Sequence, residues 1–307
     1  MTSSIFTVES KIAILEKNLS LAFEYLSPCR VCPRECMAER DSNNLGECGM
    51  PVKIGVSSAN LHYGEEPPIS GTKGSGTIFL TGCNLHCQYC QNYPISQYRN
   101  GAFYSPADVA KMMLNLEERG AHNINFVTPS HYLPQLMEAM LIAYKGGMTI
   151  PIVYNSSGYD SVEMLKLLDG VIDIYMPDMR YADNSHSQKY SDVADYPELN
   201  REAIKEMHRQ VGILQVKKRI AVKGLLIRHL VLPNGISGSK EIFEFIANEI
   251  SPDTFVAVMS QYFPAYHACN YPEIANRLTQ TEYEQALDWF NDMGLHNGYI
   301  QPYFGED

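Results

Sequence analysis

The hydrophobic positions of this chain follow two periods in turn. Residues 11–25 carry apolar side chains at helical spacing until Pro28 ends the pattern. From Thr77 onward, short apolar and β-branched runs alternate with amphipathic stretches. The runs predict strands at 77–81, 123–127, 151–155, 171–175, 225–232 and 255–260. Between them the spacing predicts helices at 106–120, 134–145, 161–168, 201–210 and 239–249, the first opened by Ser105 as N-cap with Pro106 behind it. A helix at 282–293 and the segment 299–303 close the chain.

Strands with little polar alternation, separated by helices, imply a parallel sheet covered by helices. Six such βα-like units fit a partial (β/α)6 TIM-like barrel better than a full eight-fold one, although the count alone also admits a doubly wound sheet. The stretch ahead of this pattern differs. It is rich in Gly and Pro through Gly64-Glu65-Glu66-Pro67-Pro68 and 71–76, and reads as loop. The expected organisation is therefore an α/β barrel at 71–307 preceded by a cysteine-rich N-terminal extension at 1–70.

Composition narrows the function classes. With 307 residues, 45% hydrophobic and 19% charged, the chain supports a packed core and excludes wholesale disorder or coiled coil. Lys plus Arg number 24 against 35 Asp plus Glu, a net charge of −11, which disfavours a nucleic-acid partner. Only Lys217-Lys218-Arg219 forms a basic run, and it reads as a solvated turn. No apolar stretch is long enough to span a membrane, and Met1-Thr2-Ser3-Ser4 does not resemble a secretory leader, so the expectation is a cytoplasmic protein without a membrane partner.

In a reducing compartment clustered cysteines serve as metal ligands more often than as disulfides. Cys83, Cys87 and Cys90 are spaced C-x3-C-x2-C, Cys29, Cys32, Cys36 and Cys48 form a second group, and Cys269 stands alone. A [4Fe-4S] cube held by four thiolates is closed, whereas three thiolates leave one iron open to an outside ligand. The alternatives for the trio are a zinc site completed by His86 or Cys269, or unrelated buried thiols. The group of four has the count for a closed site holding Zn²⁺ or an auxiliary Fe–S cluster, or is simply reduced and unmetallated.

The segment Cys83 to Cys90, with Tyr89 before its last cysteine and Gln91-Asn92 after it, resembles the signature of the radical S-adenosylmethionine (SAM) superfamily. Within it the chain is most similar to pyruvate formate-lyase-activating-enzyme-like proteins, in the branch of uncharacterised Fe–S proteins, over roughly residues 71 to 303. The resemblance implies a partial (β/α)6 barrel, a [4Fe-4S] cluster on Cys83, Cys87 and Cys90, and SAM as cosubstrate. It implies reductive cleavage of SAM to a 5′-deoxyadenosyl radical that abstracts a hydrogen. In that branch the hydrogen comes from a glycine of a partner glycyl-radical enzyme, and an electron donor such as flavodoxin or ferredoxin reduces the cluster. The alternatives are a radical SAM enzyme acting on another peptide or a small molecule, and a non-catalytic Fe–S electron-transfer or metal-binding protein.

Ligands in a parallel barrel meet the residues that follow each strand. Gly82 heads the cysteine loop and permits close backbone approach. After the second strand, Thr128 and Ser130 stand where relatives carry a Gly-Gly-Glu-type stretch for the SAM amine, a stretch this chain lacks. Asn155 and Ser157 end the third strand with donors and acceptors suited to ribose or carboxylate. Asp178-x-Arg180 falls where glycyl-radical activators carry an Asp-x-Lys pair, here taken as the catalytic pair. Arg228 lies inside an apolar strand, where burial of a guanidinium calls for an anion, and it matches an arginine that relatives place near the SAM carboxylate; its neighbour His229 is the rival for the inward position. Gln261 and Tyr262 end the sixth strand as adenine or substrate contacts, while His267 and Cys269 read as structural.

Overall fold

The computed structural model describes residues 6–40 and 44–303. Its first helix, α1 (Val8–Glu24), is capped by the Thr7 hydroxyl, which accepts from the Ser10 N–H at 3.2 Å. The cysteine-bearing segment follows, and then β1 (Ile54–His62), the short α2 (Pro67–Ser70) and β2 (Ser75–Leu80). Beyond β2 come the second cysteine loop, α3 (Tyr93–Ser96), β3 (Ala102–Tyr104) and α4 (Pro106–Glu118). Alternation then takes over with β4 (Ile124–Val127), α5 (Leu133–Lys145), β5 (Ile152–Ser156), α6 (Val162–Leu167) and β6 (Ile174–Pro177). The chain continues through α7 (Asn184–Ser191), α8 (Tyr196–Val211), β7 (Gln215–Lys217), β8 (Ile220–Leu230), α9 (Ser239–Phe245), β9 (Phe255–Met259), α10 (Gln280–Asp292) and β10 (Gly298–Ile300).

The sheet order is β10-β9-β8-β6-β5-β4-β2-β1-β3, with β7 paired to β8 as a side hairpin. Every pair from β2 to β10 is parallel. These strands follow one another in chain order without a reversal. A doubly wound sheet requires such a reversal, so this is the singly wound arrangement of a TIM-like barrel. Six of the parallel strands are followed by helices, matching the six units expected, and β10 adds a seventh. Among the described residues β3 and β10 are the edges and no pairing closes the ring.

Local chemistry explains most element boundaries. Ser105 and Asp108 form a reciprocal capping box at the start of α4, as the Ser-Pro pair predicts. Lys218 and Arg219 both adopt positive φ between β7 and β8, so the basic run is the hairpin turn. Several boundaries shift, with β8 starting at Ile220 and α8 at Tyr196, each ahead of its predicted start. The third predicted helix–strand boundary moves, because the Val171 N–H turns back to the Leu168 carbonyl and β6 starts only at Ile174. The helix expected over 239–249 leaves α geometry at Ile246 and ends in a π turn. The largest difference is β1, which the Gly and Pro content around it disguised as loop.

β1 pairs antiparallel with β2, His62 opposite Ser75 and Val56 opposite Leu80. A boundary at residue 70 therefore falls between two hydrogen-bonded strands. The register also places the turn after β1 at the N-terminal end of the parallel strands. There α2 seats Ile69 among Val153, Ile174, Met176, Leu214, Ala221 and Leu226, plugging that end of the barrel. No helix among the described residues is long and apolar enough to cross a membrane.

The N-terminal helix is held by a buried ion pair. Lys11 Nζ lies 2.5 Å from Asp173 Oδ2 and 3.1 Å from the Tyr144 hydroxyl, with both charged side chains 5% exposed. Asp173 also accepts the Ile152 N–H at 2.8 Å, so one carboxylate joins α1 to the start of β5 and β6. Burial raises the Asp173 carboxyl above its usual range while Lys11 opposes the shift. Removing one partner of a buried pair leaves an uncompensated charge. Lys11→Met is therefore expected to destabilise the protein by about 3–5 kcal/mol in anaerobic denaturant unfolding, and Lys11→Met/Asp173→Asn to recover most of the loss. The single variant's deficit should grow with pH. Its Asp173 carboxyl binds a proton more tightly folded than unfolded, so stability present below the unfolded carboxyl pKa is lost as pH rises through the folded one. An equal deficit in both variants at every pH would remove the pair as the cause.

Candidate active site

β2 delivers the chain directly into the C-x3-C-x2-C loop at the C-terminal end of the barrel. Gly82 turns at φ +76°, and a Cβ there would lie 3.0 Å from the Cys48 carbonyl and 2.6 Å from Met50 Cγ, so the loop's backbone rests on the N-terminal cysteine segment. Each of the three sulfurs has a hydrogen-bonding neighbour. The Leu85 N–H donates to Cys83 Sγ at 3.4 Å, the Ser191 hydroxyl to Cys87 Sγ at 3.0 Å, and the Ser96 hydroxyl lies 3.1 Å from Cys90 Sγ. The Tyr181 hydroxyl, 2.7 Å from Ser191, extends the second of these contacts.

Burial, then the neighbouring thiols, push Cys83 up to about 12 and raise Cys90, against the pull of the Arg180 guanidinium. Left to themselves these thiols stay protonated at neutral pH. A cationic metal centre ionises them, and hydrogen bonds onto sulfur then tune that centre. The donor set therefore fits a thiolate-bound cluster. Among the described residues no three His, Cys, Asp or Glu side chains stand close enough to share one ion. His86 faces Gln97 and Glu47, and the sulfur of exposed Cys269 lies beside Asn270 Oδ1.

A cavity of about 150 Å³ lies beside Cys90 and is lined also by Asp178, Arg180, Arg228, Met259 and Gln261. Its charged wall is one connected array. Asp178 Oδ1 accepts from Arg228 Nε at 2.9 Å, and Asp178 Oδ2 accepts from Arg180 Nη2. Arg228 Nη2 also donates to Asn155 Oδ1 at 2.8 Å, while its Nη1 lies 3.6 Å from Glu65 Oε2. Glu65 in turn accepts from Asn125 Nδ2 at 2.9 Å. Burial raises both Glu65 and Glu66, with the Arg228 charge opposing, and Glu66 Oε2 is buried without a partner. Arg180 Nε is likewise buried and unpartnered.

This geometry sorts the candidates. Asp178, Arg180, Arg228 and Gln261 line the cavity, and Asn155 reaches it through Arg228. His229 faces outward, its Nδ1 on the Met179 carbonyl at 2.8 Å and its Nε2 on Ser239 at 2.9 Å; burial pushes it down to about 4, so it is neutral. Thr128 and Ser130 are not among the cavity's lining residues. Thr128 holds φ +62°, costly for a β-branched residue, and donates its N–H to the Asn155 carbonyl at 2.8 Å, while Ser130 is buried beside Asp160 and Tyr154. Ser157 caps a turn by accepting the Tyr159 N–H. Tyr262 is buried and donates to the Ile274 carbonyl, which removes it as a ligand contact. Glu65 and Glu66, read from sequence as loop, are the buried acids beside Arg228 that reading missed. The isolated Arg228 in its apolar strand was the signal, since it calls for buried anions.

The N-terminal cysteines are also gathered. Burial raises Cys29, Cys32 and Cys48, and the charges of the group act on one another across every pair of Cys29, Cys32, Cys36 and Cys48. Arg34 ties this segment to the other cysteine loop, donating from Nε to the Asn84 carbonyl at 2.7 Å.

Comparison with known proteins bears on this arrangement. Residues 77–220, from β2 through β8's first residue, match the model of the Radical SAM superfamily. The protein MJ0674 of Methanocaldococcus jannaschii is 33% identical over 285 residues, covering 90% of this chain and 78% of its own length. A second protein of that organism, MJ0808, is 24% identical over 155 residues, 46% of each chain. The solved structure of TYW1 with a lysine-pyruvate adduct bound is similar at a TM-score of 0.44 and 14% identity, over 70% of this chain and 73% of that one. With its matched domain beginning in β2 and carrying the three-cysteine loop, and with a relative aligned along nine-tenths of its length, this chain belongs to the radical SAM superfamily.

Proposed function

We propose that this radical SAM enzyme abstracts hydrogen from a glycine of a partner enzyme, leaving a glycyl radical, and that a flavodoxin- or ferredoxin-type donor supplies its electron. The observation that carries this reading is the Arg180–Asp178–Arg228 array set beside Cys90 in one cavity. Bound by Cys83, Cys87 and Cys90, the family's [4Fe-4S] cluster supplies one-electron reduction of SAM to methionine and a 5′-deoxyadenosyl radical.

The chain's own residues hold and orient. Both carboxylate oxygens of Asp178 are engaged by guanidiniums, so Asp178 is a positioning residue for two cations. Arg228 presents a planar fork fixed by Asp178 and Asn155, a geometry suited to a ligand carboxylate. Arg180 faces both the thiols and the cavity, where its unpartnered Nε is available to an anionic ligand group. The buried walls keep water away from a reactive carbon radical. We further assign a second metal centre to Cys29, Cys32, Cys36 and Cys48, folding a segment that lacks a core of its own.

Three measurements test this reading. Anaerobic protein incubated with dithionite and SAM should form 5′-deoxyadenosine, and Cys83→Ala, Cys87→Ala or Cys90→Ala should abolish it; product from those variants would sink the cluster assignment. Arg228→Lys keeps the charge but loses the fork, and is expected to raise the SAM concentration for half-maximal cleavage about tenfold, ~1.4 kcal/mol. An unchanged SAM dependence would take Arg228 out of the SAM site. For the substrate, a protein captured anaerobically by this chain should acquire a doublet organic-radical EPR signal that collapses when its glycine is replaced. A radical on a small molecule or on another residue would instead favour a different peptide- or metabolite-modifying enzyme.

A further inference from the structure

Backbone register places a hydroxyl over Cys87. On either side of that cysteine, the His86 N–H donates to the Ser191 carbonyl at 3.1 Å and the Gln88 N–H to the Tyr190 carbonyl at 2.8 Å. These two bonds lay the last turn of α7 across the cysteine loop, and the Ser191 hydroxyl then reaches Cys87 Sγ at 3.0 Å. A helical serine commonly turns its hydroxyl back onto its own helix or out to water. Ser187, one turn earlier, does the first, donating to the Asn184 carbonyl at 3.1 Å. Ser191 is directed at a sulfur instead, and it is buried together with Tyr181 and Cys87. A metal-bound thiolate has no proton to give. Ser191 must then donate to Cys87, its single proton is committed there, and the Tyr181 hydroxyl, 2.7 Å away, donates into the Ser191 oxygen. The same order recurs at Cys90, where Gln97 Nε2 donates to Ser96 Oγ at 3.3 Å and leaves the Ser96 proton to Cys90 Sγ at 3.1 Å.

Reduction adds an electron to a centre held by buried thiolates. Cys87 belongs to the hydrophobic core together with its loop neighbours Leu85 and Tyr89, and apolar surroundings disfavour the more negative state. A donor aimed at sulfur favours that state, more strongly in a low-dielectric interior and more again when a second hydroxyl polarises the first. Hydrogen bonds to sulfur are among the levers that set Fe–S potentials. We propose that the Tyr181–Ser191 relay on Cys87, with Gln97–Ser96 as its counterpart on Cys90, raises the reduction potential of the cluster and so eases its reduction by the electron donor. The proposal rests on Cys83, Cys87 and Cys90 being the cluster ligands. None of the four relay residues lines the cavity, so they are positioning residues that act through the cysteine sulfurs and not on SAM.

The test is a redox titration of the full chain, reconstituted anaerobically, following the reduced-cluster EPR signal that SAM perturbs. Ser191→Ala should move its midpoint to more negative values by about 59 mV, a tenfold fall in the reduced-to-oxidised ratio at fixed poise. Ser96→Ala should move it in the same direction. Tyr181→Phe leaves the Ser191 donor in place and should give a smaller shift of the same sign. Ser191→Ala alone leaves the buried Tyr181 hydroxyl unpaired, so Ser191→Ala/Tyr181→Phe, which removes both groups, guards against a folding defect. The double variant should show the Ser191→Ala shift and no more, since Tyr181 acts through Ser191. The SAM concentration for half-maximal cleavage should stay at the wild-type value throughout. An unmoved midpoint in the double variant, a shift of opposite sign, or a shift accompanied by a changed SAM dependence overturns the proposal. If the double variant holds no cluster, unmoved midpoints in Tyr181→Phe and Ser96→Ala overturn it. Failure of the underlying reading looks different: the wild-type chain would carry no signal that SAM perturbs, or Cys87→Ala would keep that signal intact.

Discussion

A guanidinium inside a barrel must meet negative charge, and Arg228 shows how far that requirement reaches. Its side chain is 18% exposed, and its partners come from four different elements: Asp178 after β6, Asn155 on β5, Glu65 after β1, and through Glu65 the Asn125 amide on β4. The polypeptide has to bring those groups to one axis to bury the charge at all. Asp178 then passes the constraint upward, because its second oxygen holds Arg180, which faces the buried thiols. The lumen and the cysteine loop are in this way one electrostatic unit. The paired ends of the Arg180 and Arg228 guanidiniums are fixed before any ligand arrives, so little orientational freedom is left to lose on binding.

How much of this was legible beforehand follows from the range over which each signal acts. Elements set by local periodicity and capping were readable: α4 through Ser105 and Asp108, the basic turn at Lys218 and Arg219, and the alternation that gives six βα units. The strand order that separates a singly wound barrel from a doubly wound sheet is a long-range property, and it appears only in the pairing. β1 was hidden because its evidence is also long-range. The run Ile54–His62 holds Gly55, two serines and Asn60, weak strand formers that become a strand by docking on β2.

The site divides the same way. The cysteine spacing is a local pattern, and the structure sets all three cysteines in one loop at a strand end. Arg228 was readable because a charge in an apolar run violates the local rule, and such violations mark sites. Thr128, Ser130 and Ser157 were candidates only by position after a strand, and position cannot tell a side chain that lines a cavity from one that shapes a turn. Ser157 accepts a backbone N–H two residues on, and Thr128 spends its left-handed conformation on a backbone contact to Asn155. Glu65 and Glu66 illustrate the opposite error. Their neighbours Gly64, Pro67 and Pro68 signal a loop correctly, but a loop that turns back into the barrel end buries its acids beside Arg228.

The N-terminal segment is joined to the barrel by contacts of unequal kind, and the difference says what each is for. α1 is anchored at Lys11 and Asp173, near the starts of β5 and β6 and far along the strands from the cavity. A buried pair there fixes where a helix docks and touches nothing reactive. Residues 29–40 and 44–50 instead press on the backbone of the cysteine loop itself, through Cys48 against Gly82 and Arg34 on Asn84. Gly158, with a Cβ position only 2.3 Å from the Asp178 carbonyl, crowds the array from the far side at φ +73°. Backbone packed this tightly beneath the cysteine loop and behind the Asp178 array resists rearrangement of either. The segment that sequence alone presents as an appendage thus supplies one wall of the site, and the four thiols it carries sit where a change in their charge acts on that wall directly.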